Sequence, residues 1–94
     1  MGYKIKHSDR ALAQLDAIYA HIAGENPEAA NKIVAEIRAS INTLVDFPAL
    51  GRPTDEKNIH RLVLAVRPYI AFYTIKRGDL VYIVQVLHGK QNRN

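Results

Sequence analysis

Residues 59–88 read IHRLVLAVRPYIAFYTIKRGDLVYIVQVLH, and the breaks in that run decide the fold. Stretches rich in β-branched and aromatic residues are interrupted at Arg67-Pro68 and at Lys76-Arg77-Gly78-Asp79. Proline cannot donate to a ladder and suits the start of a strand. Gly78 is free to take the positive φ of a hairpin turn. Three strands are therefore predicted, over 59–66, 69–76 and 80–88, joined as an antiparallel meander. In the first, Leu62, Leu64 and Val66 fall on one face, and Arg61, Val63 and Ala65 on the other. The last is the most apolar, as a central strand buried on both faces would be.

Upstream, Phe47-Pro48 stops a helix, and residues 48–58, with Gly51, Arg52 and Pro53, form the one extended loop. The helix before it starts with Asn26 as cap, Pro27 at the first helical position and Glu28 in the first turn. Ala30, Ile33, Val34, Ile37, Ile41, Leu44 and Val45 make its apolar stripe. A preceding helix begins at Ser8-Asp9, carries the stripe Leu12, Leu15, Ile18, Tyr19 and Ile22, and ends at Gly24. The link between the two is short, so they should lie antiparallel. At the N-terminus Tyr3, Ile5 and His7 alternate with Lys4 and Lys6, the pattern of a strand at or near a sheet edge.

The order is β-α-α-β-β-β. Each helix has a single apolar stripe, so both can cover the same face of a sheet. The expected fold is α+β, a two-layer sandwich in which a helical hairpin packs on one face of a mainly antiparallel four-stranded sheet. One domain spans residues 1–94. The opposite sheet face is left open, with Arg61 and some of the tyrosines on it, as the binding surface.

Charge points the same way. Thirteen Lys and Arg against nine acids give a net charge of +4. The stretch from Pro48 onward holds eight of the bases and three of the acids, so the strand-rich half is basic and the helical half close to neutral. A basic sheet surface suits nucleic acid, a ribosome or an acidic protein. There is no cysteine, which excludes disulfides and a thiolate zinc site. The start, MGYKIKHSDR, has no signal-peptide apolar run, and no apolar stretch nears the roughly 20 residues that span a bilayer. A cytoplasmic protein without membrane contact is expected.

Several side chains are candidates for chemistry. Arg61 lies among apolar neighbours in a strand, where arginine calls for a carboxylate or phosphate partner. Asp46 or Glu56 could supply the former. His88 ends the last strand and suits general acid–base work, or simply a hydrogen bond to a backbone carbonyl. Tyr69 and Tyr73, four apart on one side of their strand, could stack on a base or donate to phosphate, or could pack. Arg52 in the loop, and Lys90 and Arg93 after the last strand, complete a target-binding set. His7, His21 and His60 are scattered without metal-ligand spacing, and neither a Gly-rich phosphate loop nor a G-x-S-x-G elbow occurs. No metal or cofactor is expected.

The motifs Asn26-Pro27, Leu44-x-x-Phe47-Pro48-x-x-Gly51-Arg52-Pro53, Arg61, Pro68-Tyr69, Phe72-Tyr73 and Val86-Leu87-His88, in that order and spacing, resemble the RelE/ParE superfamily of bacterial toxins from type II toxin–antitoxin modules, also labelled plasmid stabilisation proteins. The resemblance runs nearly end to end and implies the same β-α-α-β-β-β order. RelE-like members are ribosome-dependent endoribonucleases that cut mRNA; ParE-like members poison DNA gyrase without known catalytic residues. Metal-free RNA cleavage needs a proton acceptor, a proton donor and cations to neutralise developing charge. Arg61 and His88 would be the catalytic pair if this chain were a nuclease. The tail HGKQNRN lacks the tyrosine common among the nucleases, and the loop at 53–58 has only Lys57 in place of a lysine cluster. The FP-x-LGRP loop and the LHG ending look more ParE-like. The resemblance thus implies a gyrase inhibitor first and a ribosome-dependent endoribonuclease second. In either case a cognate antitoxin is the implied partner, in a toxin–antitoxin hetero-oligomer.

Overall fold

Ser8 begins the first helix by the expected capping chemistry: its hydroxyl accepts the Ala11 N–H at 3.0 Å. The computed structural model describes residues 2–66 and 68–91. It contains β1 (Lys4–His7), α1 (Asp9–Ala23), α2 (Pro27–Asn42), β2 (Arg52–Pro53), β3 (His60–Val63), β4 (Tyr69–Lys76) and β5 (Leu80–His88). Single 3-10 turns follow α2 (Thr43–Val45) and β5 (Gly89–Gln91). Gly24 keeps an ordinary helical φ of −58°, so α1 does not end on a left-handed glycine. The break comes ahead of Pro27 at Asn26, which is extended at φ −153° and caps α2 by accepting the Ala29 N–H on its Oδ1.

The sheet has the order β1-β5-β4-β3-β2. β1 runs parallel to β5, and every other pair is antiparallel. The most apolar strand is thus interior and the lysine-bearing one is at an edge, as the sequence implies. The α+β sandwich stands, with one strand more than the four expected. The addition is β2, two residues of the 48–58 loop that pair with Arg61 and His60.

β3 is shorter than the expected 59–66. The Ala65 N–H turns away from the sheet to the Ser40 hydroxyl of α2 at 3.2 Å. Tyr69 N–H then bonds back to Val66, closing the turn into β4. At the other hairpin Gly78 takes φ 80° and Asp79 φ 55°. The turn needs the left-handed region twice, and the non-glycine position is filled by a residue type that tolerates it.

The core lies between the helices and one sheet face. Leu15 of α1, Ile37 and Ile41 of α2 and Leu44 meet Leu62, Ala71, Tyr73, Val81, Ile83 and Val86 of the sheet. Between Phe72 and Tyr73 the β4–β5 register slips: Phe72 faces Gln85 and Tyr73 faces Ile83, which leaves Val84 as an extra residue. Polar groups of α1 and of its N-cap meet the backbone at that bulge. Ser8 donates its hydroxyl to Val84 O at 2.6 Å, and Gln14 Oε1 accepts the Val86 N–H at 2.7 Å. No described helix is long and apolar enough to cross a membrane.

Candidate functional site

Strand register decides which predicted residues meet. Arg52, Arg61, Phe72 and Gln85 are successive partners across β2, β3, β4 and β5. Their neighbours Leu62, Ala71 and Val86 lie in the core, so this row points to the face the helices leave open. It lines a cleft of about 500 Å³, with Asp55 and Glu56 on the loop side. Arg52 and Arg61 are both exposed, and among the described residues neither guanidinium has a hydrogen-bond or ion-pair partner. Like charges directly opposite on neighbouring strands destabilise a sheet. Here they are held side by side with no acid pairing them off, an arrangement suited to receiving an anionic or acidic target.

The open face carries further cations. Lys4 and Lys6 pair with Leu80 and Tyr82 on the side away from the core. Lys76 places its Nζ 4.2 Å from the centre of the Tyr82 ring, a cation–π contact. Sequence reasoning did not place Phe72, Tyr82 and Gln85 on this face. The signal was present in the alternation of Lys4 and Lys6, which marks one face of β1 as wet.

Tyr73 is not on this surface. It is fully buried, stacked on His60 with ring centroids 5.1 Å apart. Its hydroxyl accepts the Gly51 N–H at 2.8 Å and donates to Pro48 O at 2.7 Å. Burial pushes the phenol's pKa up, and the Gly51 N–H bond pulls the other way. Gly51 is required beside it: a Cβ there would lie 2.7 Å from Tyr73 Cε1 and 3.0 Å from Arg61 O. The FP-x-LGRP loop is thus pinned to the sheet by one hydroxyl, and this pin carries Arg52 to its place opposite Arg61. Tyr73 fills the packing role that the sequence left open for it.

Tyr69 is on the same side of β4 as Tyr73. It is half-buried against the core and touches His88 edge-on, ring centroids 5.4 Å apart. His88 Nδ1 accepts the Lys90 N–H at 3.1 Å. Tyr69, His88 and Lys90 line a different cleft, on the helix side of the sheet. Arg61 and His88, the pair a nuclease would need, are therefore on opposite sides of the sheet. Arg93 lies outside the described residues. No group of three or more metal-ligating side chains occurs among the described residues.

His7 and His60 each leave a buried ring nitrogen without a hydrogen-bond partner among the described residues, Nε2 in His7 and Nδ1 in His60. Burial, and then the Arg38 charge, lower the His7 pKa from 6.5.

A helical hairpin thus packs on one sheet face, and the other presents Arg52 and Arg61 in a cleft shared with Asp55 and Glu56. Residues 5–93 match the family model described as the ParE toxin of a type II toxin–antitoxin system, parDE. The chain is 42% identical over 88 residues to Y4kP of Sinorhizobium fredii, whose name proposes a toxin; the match covers 94% of this chain and 90% of that protein. It is 34% identical to toxin RelE2 of Caulobacter vibrioides, over 85% of this chain and 88% of the other. Among solved structures, the chromosomal ParDE system of P. aeruginosa superposes with a TM-score of 0.81 at 30% identity, covering 92% of this chain and 95% of that one. A double mutant of E. coli toxin RelE in the free state shares the fold, with a TM-score of 0.69 at 13% identity over 98% of this chain and 88% of that one. The chain belongs to the ParE toxin family and is a toxin of a type II toxin–antitoxin system.

Proposed function

We propose that the protein acts as a ParE-like inhibitor of DNA gyrase, neutralised by a cognate antitoxin. The observation that carries this reading is the separation of Arg61 from His88 by the sheet. A phosphoryl-transfer site needs its cation and its proton carrier around one phosphorus; a binding toxin needs only a shaped, charged face. The row Arg52–Arg61–Phe72–Gln85, with both arginines exposed, is such a face, and Lys4, Lys6 and Lys76 extend its charge. On this reading Arg52 and Arg61 contact the target, whereas Tyr73 acts from the core by fixing the loop that presents Arg52. The ParDE and RelBE structures that share the fold are described as toxin–antitoxin systems or complexes, which supports an antitoxin partner here. The test is gyrase supercoiling with the purified protein. Inhibition is expected in the wild type and should be lost in Arg61→Ala. Undisturbed supercoiling at micromolar excess, with no trapped cleavage complexes, rules the reading out.

Likeness to toxin RelE2 of Caulobacter vibrioides favours a second reading, a ribosome-dependent endoribonuclease. In that case Arg61 would stabilise charge on phosphorus and His88 would move the proton. Codon-specific mRNA cuts in a translation extract, abolished by His88→Ala, would replace the first reading by this one.

A further inference from the structure

The cleft on the open face holds both signs of charge. Arg52 and Arg61 stand at the base of the β2–β3 hairpin, and Asp55 and Glu56 at its tip, only three and four residues past Arg52. Both acids are exposed, and among the described residues neither carboxylate pairs with a guanidinium. The tip is closed by bonds of its own. Thr54 N–H donates to Ile59 O at 3.0 Å, and Ile59 N–H to Glu56 O at 3.1 Å. The Thr54 hydroxyl accepts the Glu56 N–H at 3.1 Å and donates to Ile59 O at 3.0 Å. Asn58 turns the chain at φ 66°, in the left-handed region that asparagine tolerates. Two charges of each sign are thus held along one cleft without pairing, around apolar walls of Ile59, Phe72 and Val84.

This arrangement restricts what can lie there. A nucleic-acid strand is negative at every phosphate. Seated on the arginines, it would bring its next phosphates against Asp55 and Glu56, and like charges juxtaposed in a contact repel. Lys57, the remaining charge of the tip, is not among the residues lining the cleft. A protein surface escapes the conflict. It can present an acid to Arg52 and Arg61 and a base to Asp55 and Glu56, with an apolar side chain between them against Phe72.

We propose that Asp55 and Glu56 are specificity-determining residues: they shut nucleic acid out of the arginine cleft and reserve it for a protein surface of mixed charge. With gyrase as the target, the contact is then with its protein and not with its DNA. That identity rests on the function proposed above; the exclusion of nucleic acid does not.

The test compares the full chain with the double variant Asp55→Asn, Glu56→Gln. Neither side chain makes a hydrogen bond among the described residues, so the substitutions leave the turn intact. A short fluorescein-labelled DNA duplex should bind the variant about tenfold more tightly than the wild type, a gain that fades with added salt. Adding Arg61→Ala to the variant should abolish the gain. The control Asp16→Asn, Glu36→Gln makes the same change of charge at exposed positions of α1 and α2 and should bring no gain. In amide-shift titrations of the wild type, the peptide acetyl-Glu-Leu-Ser-Leu-Lys-amide should shift Arg52, Ile59, Arg61 and Phe72. It should bind more tightly than acetyl-Glu-Leu-Ser-Leu-Glu-amide, and the order should reverse in the variant. Equal DNA binding by wild type and variant, or an equal gain in the control, would overturn the proposal. So would a wild-type preference for the all-acidic peptide, or no peptide shift at millimolar concentrations. Binding to isolated gyrase subunits reads the target separately: its failure with the DNA gain and the peptide order intact removes gyrase and keeps the exclusion.

Discussion

Phe72 and Tyr73 are neighbours on β4, yet they serve opposite surfaces. Phe72 stands in the open cationic row between Arg61 and Gln85, whereas Tyr73 is sealed in the core and holds the 48–51 loop by its hydroxyl. A sheet with one covered face separates two kinds of selection along a single strand. The covered face is constrained by packing and hydrogen-bond satisfaction. On the proposed reading, the open face is constrained by what it must attract, even against its own stability.

The sharpest way to break this contrast is Gly51→Ala. The new methyl meets a ring and a backbone oxygen, so relief requires the loop to move. Overpacking costs about 1–3 kcal/mol, and displacing the loop adds the loss of the bonds to Tyr73. A fall in Tm of about 10 °C or more is expected by thermal unfolding. Next is Tyr73→Phe, which strips the partner from the Gly51 N–H and should cost about 1–3 kcal/mol in urea unfolding. If either variant is as stable as the wild type, the loop is not pinned as described.

Arg61→Ala should do the reverse. Removing one of two facing guanidiniums should leave stability unchanged or raise it by about 0.2–1 kcal/mol, while growth inhibition on induction is lost. A destabilised but fully toxic Arg61→Ala would invert the assignment of the two faces.

The smallest effect concerns β1, where Lys4 and Lys6 face outward and Ile5 and His7 inward. Burial disfavours the charged imidazole of His7, so the unfolded chain takes up that proton more readily. Its contribution to stability is present above the unfolded value of about 6.5 and is lost as pH falls below it toward the lower folded value. His7→Leu should flatten that part of the pH–stability profile; an unchanged slope would assign the dependence to other groups.

Much of this was legible from residue order alone. Ser8, Asn26-Pro27, Phe47-Pro48 and Gly78 mark where elements start and stop, and each does so for a local reason that a sequence carries. The phase of β4 was less accessible. YIAFY puts bulky apolar groups on both faces, so placing Tyr69 and Tyr73 together was correct, but which side faced the helices could not be read. Ala71 between them, small enough to lie under a helix, was the available hint. β2 escaped because two residues with a proline carry no alternation. The pairing of Arg52 with Arg61 depends on β2, and β2 depends on the Tyr73 hydroxyl, a contact between residues far apart in the chain. The cleft at Tyr69 and His88 is likewise a product of tertiary placement, since nothing local links α1 to the end of β5.

The surplus residue at Val84 has a consequence for both surfaces. Strict alternation onward from Ile83 would turn Gln85 toward the helices and Val86 toward water. One unpaired residue resets the count, so a carboxamide is delivered beside Phe72 on the open face and an aliphatic chain is returned to the interior. Composition alone therefore does not set the character of either side: a single-residue insertion or deletion downstream of this slip exchanges the chemistry of the two surfaces without altering a single neighbouring amino acid.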